Sequence, residues 1–275
     1  MNLIKMEAKQ IINEIELAGA SFPLTTMRQA FGQNESLTPV LLDAVQKRAA
    51  AKNSSDIRLQ RVATFGLFFL AQHRDRRLLQ PMVQLLESVD PWEQDEWLFS
   101  NRVGFFAHRL LAGVCPLDAQ TPMDLALNPK LKSFTRTIAM STIGMMAAYG
   151  DITRAEAVQR HRQLYKPVQI LRDPEMDGCW ARAAVKLDSK AFERELQWFL
   201  ASGRLDSLNR TLISSALRVD PETSFASIVA LEPLVNMFIN IFSQDMREGE
   251  IGFLPNGEIP FLEHFREAMA PPRTN

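Results

Sequence analysis

Apolar residues recur at helical spacing along nearly the whole chain, and stretches that alternate apolar and polar residues are short. One stripe is Leu78, Met82, Leu85, Leu86 and Val89. A second is Phe192, Leu196 and Phe199, and a third is Leu205, Leu208, Leu212 and Ala216. This period predicts α-helices and leaves no organising role for strands. The helix starts are marked as well. Thr38-Pro39, Thr121-Pro122 and Asp220-Pro221 each read as a capping residue followed by proline at the first helical position. Asp151-Ile-Thr-Arg-Ala-Glu156 reads as a capping box, with Thr153 as the cap and Glu156 reaching back.

The most apolar helices repeat. Arg61 to Ala71, Arg102 to Ala112 and Arg136 to Ala147 each open on arginine, continue with small and large apolar residues, and close on alanine. Arg182 to Leu187 begins a shorter fourth copy. The arginines are 41, 34 and 46 residues apart, around the roughly 35 to 47 residues of a two-helix solenoid unit. Amphipathic helices are predicted between them, over Pro39–Ala51, Arg77–Val89, Met123–Leu127 and Thr153–Ile170. A helix that is apolar on most sides must be covered by its partner and by both neighbouring units, whereas one stripe needs a single covered face. Gly66, Ala71, Gly104, Ala107, Ala139 and Gly144 would let such helices approach closely. The expectation is an all-α solenoid of antiparallel helix pairs. Residues 1–35 form N-terminal capping helices, 36–247 the repeat array, and 248–275 a loop, a short helix over Phe261–Met269 and a tail.

The order of these segments resembles a bacterial family, domain of unknown function 1186. The resemblance rests on Phe22-Pro23, Leu37-Thr-Pro-Val-Leu-Leu42, Phe69-Leu-Ala-Gln-His-Arg-Asp75, Leu79-Gln-Pro-Met-Val-Gln-Leu-Leu86, the Arg136-led helix and Gly150-Asp-Ile-Thr-Arg-Ala-Glu156, and covers roughly residues 20–215. It implies a HEAT-like right-handed α-superhelix and no established activity. Two features depart from the family. The stretch leading to the middle inner helix is aromatic as well as acidic, Asp90-Pro-Trp-Glu-Gln-Asp-Glu-Trp-Leu98. No cysteine follows Cys179, so the Cys/His metal module at the end of some relatives is not expected here.

Composition narrows the chemistry. The chain has 275 residues, 31 Lys+Arg against 32 Asp+Glu, and 46% hydrophobic residues. These are globular values without a large excess of positive charge. Met1 to Ala20 reads as an amphipathic helix rather than a secretory leader. No apolar run reaches the length of a membrane span, and a cytoplasmic protein without membrane association is expected. Cys115 and Cys179 read as two buried thiols in a reducing compartment, a disulfide being the alternative.

Reaction motifs are missing. The four histidines, His73, His108, His161 and His264, include no His-Glu-x-x-His, and there is no phosphate-binding loop or nucleophile elbow. No catalytic, cofactor or metal residue is nominated. The expected partner-binding residues are Trp92, Glu93, Asp95, Glu96 and Trp97, because tryptophan in an acidic loop suits a protein contact; rings folded back over adjacent helices are the alternative. The reading is a non-enzymatic scaffold or regulator that holds a protein or peptide on a concave solenoid surface. The alternative is a nucleic-acid-binding HEAT-like protein, extending to DNA-repair glycosylase-like activity, using His73-Arg-Asp-Arg-Arg77, Lys130, Lys132, Arg136, Arg160, Arg162 and Lys166.

Overall fold

The structure is a computed structural model that describes residues 6–17, 26, 29–30, 33–51, 56–88 and 101–229, with side chains omitted for 101–105 and 227–229. All described elements are helical, as the 3.6-residue period requires. The chain forms two compact units, residues 1–73 with 232–275, and residues 74–231. The boundary between His73 and Arg74 falls inside the segment that periodicity treats as a single array.

In the first unit, α1 is Ala8–Leu17, α2 Asn34–Ala50 and α3 Ile57–Gln72. Helix α3 carries the first arginine-led apolar pattern, and every residue from Val62 to Ala71 is buried. Asp56 caps it by accepting from the Arg58 and Leu59 amides at 3.0 and 3.1 Å. Helices α1 and α2 both pack on α3. Gly66 sets the α2–α3 approach, since a Cβ there would meet Val45 Cγ2 at 3.1 Å and the Leu41 carbonyl oxygen at 3.2 Å. Helix α2 starts at Asn34, five residues before the proline that sequence places at its first position. Pro39 lies inside the helix, and the Thr38 hydroxyl donates to Asn34 Oδ1 at 2.9 Å instead of capping. Without an N–H, Pro39 breaks one backbone bond near the helix start, where the disruption is least.

In the second unit a 3₁₀ turn, Arg76–Leu78, leads into α4, Leu79–Ser88. There follow α5 Asn101–Val114, α6 Gln120–Leu127, α7 Ser133–Ala148, α8 Arg154–Leu171, α9 Pro174–Asp188, α10 Glu193–Ser202, α11 Ser207–Ala216 and α12 Pro221–Val229. The apolar helices α5, α7 and α9 pack side by side in chain order. Helix α6 lies against α7, and α8 lies against both α7 and α9. The physical cause is the one the pattern suggests. Helix α7 buries Thr135 to Met146 except Ser141 and so needs neighbours on most sides. Helix α8 buries only Ala157, His161, Leu164 and Val168 along one stripe. Gly144 sits 3.7 Å, measured from an added Cβ, from the Leu187 side chain across the α7–α9 contact.

Two of the arginines that mark the apolar helices, Arg61 and Arg136, do the same job. Arg61 Nη1 donates to the Glu16 carbonyl in the last turn of α1 at 3.0 Å. Arg136 Nε donates to the Ala126 carbonyl in the last turn of α6 at 2.9 Å. Each satisfies an orphan carbonyl where the helix dipole favours a cation. The capping box at Thr153 forms by half. Thr153 Oγ1 accepts from the Glu156 amide at 3.1 Å, but the Glu156 carboxylate takes Arg160 instead of reaching back. Thr121 does not cap α6: the helix starts at Gln120 after Ala119, and Asp118, one residue earlier, accepts from the Thr121 amide and hydroxyl at 3.2 and 2.9 Å. At α12, Pro221 occupies the first helical position as expected.

Candidate interaction surface

Trp92, Glu93, Asp95, Glu96 and Trp97 lie outside the described residues, as do His264 and Phe261–Met269. The basic residues proposed for a nucleic-acid track are all described, and the arginines among them are already engaged. Arg74 pairs with Asp151, Arg76 with Asp118 at 2.6 Å, and Arg77 with Asp75 at 2.6 Å. Arg160 pairs with Glu156 at 3.1 Å and also donates to Gln120 Oε1. Arg162 takes Glu195 at 3.3 Å and the Ala191 carbonyl. With Arg136 buried on Ala126, each of these charges answers a carboxylate or a helix-terminal carbonyl before any phosphate.

The interior groups with reactive potential are held in inert forms. Both cysteines are free and buried. Burial pushes the Cys115 thiol up to about 12, and it raises the Cys179 thiol as well, so neither supplies thiolate near neutrality. His108 is lowered to about 4, first by burial and then by the charges of Lys186 and Arg109. His161 is fully buried and is likewise lowered to about 4 by burial. Its Nε2 bonds the Trp180 carbonyl oxygen at 2.9 Å while Trp180 Nε1 donates to the His161 carbonyl at 3.1 Å. The two rings stack 5.0 Å apart at 17°. Among the described residues no group of three His, Cys, Asp or Glu side chains could hold a metal ion.

Two surfaces of the second unit remain. The first is an apolar edge built on α8, α10 and α11. Trp180 is the buried centre of an aromatic cluster that includes Tyr165, Phe192 and Phe199. Trp198 continues the cluster outward, meeting Tyr165 and Phe199 edge-on at 6.1 and 5.1 Å. Arg204 fixes the place of this ring. Its guanidinium lies 5.5 Å from the Trp198 ring centre. It also bonds Asp177 through Nε and Nη2 at 2.7 and 2.8 Å, and closes the end of α8 on the Gln169 carbonyl at 2.8 Å. Burial holds the Asp177 carboxyl above its ordinary range, against the opposing pull of Arg204.

Large apolar side chains of α8, α10 and α11 face outward. Trp198 is 39% exposed, Ile170 77%, Leu208 67% and Leu212 47%. The sequence stripe Leu205, Leu208, Leu212 and Ala216 is therefore not the buried face of α11. That face is Asn209 and Ile213, with Leu205 buried just before the helix. Asn209 tolerates burial because its amide donates to Asp206 at 2.7 Å and its Oδ1 accepts from Arg182. Rotating the helix to bury Asn209 turns Leu208 and Leu212 to the outside.

The second surface is a polar groove of about 580 Å³ lined by Gln120, Thr153, Glu156, Gln159, Arg160 and Gln163. Helix α6 contributes Gln120, and α8 with its cap contributes the rest. Arg160 bridges the two helices by bonding Glu156 within α8 and Gln120 across to α6. Gln120 Nε2 is committed to Asp124 at 2.7 Å. Neither this groove nor the outward turn of α11 is visible in the apolar pattern, because the groove depends on how α8 meets α6 and the turn of α11 on the partners of Asn209.

A family model described as protein of unknown function (DUF1186) matches residues 6–177. No curated protein and no solved structure matches the chain. Helices α10 and α11, which carry Trp198, Leu208 and Leu212, follow the matched segment.

Proposed function

The chain belongs to the DUF1186 family, a membership that assigns no activity, and we propose from its own surface that it is a non-enzymatic helical-repeat scaffold or regulator that binds protein or peptide. The observation that carries this reading is the exposed edge of Trp198, Ile170, Leu208 and Leu212 around the anchored Arg204. Large apolar side chains left exposed are available for contact, and Trp and Arg are the residue types that dominate contact energies. The serial packing of α5, α7 and α9 supports a repeat geometry that presents side chains in rows. Free, buried thiols fit a reducing, cytoplasmic setting. The Trp92–Trp97 segment is proposed as an additional anchor for the same partner.

Affinity capture from the native host tests the reading with three baits: the wild-type chain, Trp198→Ala with Leu208→Ser, and Trp92→Ala. Recovery of a stoichiometric protein by the wild type, and its loss from the double variant, is the expected outcome. Loss from Trp92→Ala extends the contact to the acidic segment. Repeated recovery of nucleic acid alone would reverse the assignment.

A further inference from the structure

We propose that the groove between α6 and α8 takes an extended peptide by its main chain. This rests on the protein-binding reading above and names a second, chemically different contact for it. The lining is polar but not strongly charged. The single carboxylate, Glu156, is bonded to the single guanidinium, Arg160, at 3.1 Å. What the groove offers a ligand is therefore hydrogen bonding rather than net charge, which suits neither phosphate nor a carboxylate-rich partner.

The offered groups are carboxamides. Gln159 and Gln163 are exposed and their side chains have no hydrogen-bond partner among the described residues. Each carries a donor and an acceptor, the pair that one peptide unit requires. They stand four residues apart on α8, about 6 Å along its axis. In an extended chain, peptide groups facing the same side recur every two residues, about 6.7 Å apart. The two amides thus meet successive same-side peptide units with a small adjustment of flexible side chains. No apolar side chain larger than Ala155 lines the groove, so recognition would read the backbone and tolerate varied side chains.

The experiment uses the full chain and a displayed library of random heptapeptides, with Gln159→Ala/Gln163→Ala as the second bait. Both positions are exposed, and a melting curve matching the wild type verifies that the variant is folded. The expected result is enrichment on the wild type, with affinity of the resynthesised peptides falling about tenfold or more on the double variant. N-methylation at alternate residues, in one phase only, should weaken binding to a similar extent, whereas alanine replacement of single peptide side chains should change it less. Failure to enrich any peptide overturns the proposal. So does equal binding by both baits, or binding of the chain to a glycan array in place of peptides. Capture of a partner that depends on Trp198 and Leu208 while the library fails would sink this inference alone. Library binding without such a partner would leave the groove assigned and the apolar edge refuted.

Discussion

Acidification should destabilise the second unit through His161, and the size of the effect follows from its surroundings. Nε2 must carry the ring proton, because its partner is the Trp180 carbonyl oxygen. Nδ1 is buried and has no hydrogen-bond partner among the described residues. Protonating it would put a charge between Trp180 and Phe192 with nothing to accept the new N–H. An imidazole that ordinarily titrates at 6.5 is accordingly held down to about 4. The unfolded chain binds the proton more readily than the folded one between these values, so stability rises with pH across that window. The contribution is complete above about 6.5 and is lost as pH falls through 4. The whole separation corresponds to about 3 kcal/mol, of which about 2 kcal/mol is lost by pH 5.

The comparison is His161→Gln, whose amide can still donate to the Trp180 carbonyl but cannot titrate. Urea unfolding at pH 7.5 and pH 5 measures the difference. All four tryptophans fall within residues 74–231, so intrinsic fluorescence reports on this unit. His108 has a similarly lowered value and adds the same slope to both proteins, which cancels in the comparison. Wild type should lose about 2 kcal/mol more than the variant over this interval. Equal losses would refute the argument that desolvation of His161 controls the acid limb.

Other predictions test the packing directly. Leu70→Asp and Leu111→Asp should each abolish soluble folding, because both side chains are fully buried and an unpaired charge there has no compensation; normal yield with unchanged melting would contradict the assignment of α3 and α5 as interior helices. Gly178→Ala should lower stability by about 1–3 kcal/mol, since its Cβ would stand 2.6 Å from Asn209 Nδ2, an amide tied to Asp206; an unaltered thermal midpoint would mean that Asn209 moves aside freely. Leu208→Ser should stay within about 0.5 kcal/mol of wild type, given its exposure, and a large fall in melting temperature would place Leu208 in a covered position.

The periodicity of α3, α5 and α7 determined that they are helices and that they are interior, because an all-round apolar helix has no soluble alternative. The same local logic found the cap at Thr153 and the proline at the start of α12. It misplaced the start of α2, where Pro39 sits within the first turns instead of opening them. It also chose the wrong side of α11. Leu208 and Leu212 are as apolar as any buried leucine, and Asn209 is polar. Only the arrival of Asp206 and Arg182 beside Asn209 makes its burial acceptable. The arginines show the same division. Their recurrence marked the repeat in the sequence, but the groups that engage them can lie far off along the chain, as the Glu16 carbonyl does for Arg61 across 45 residues. A periodic pattern records how each helix partitions between water and interior, which is a local property. Which polar groups become neighbours, and therefore which apolar side chains are left facing outward, is decided by contacts between distant segments and required the tertiary structure.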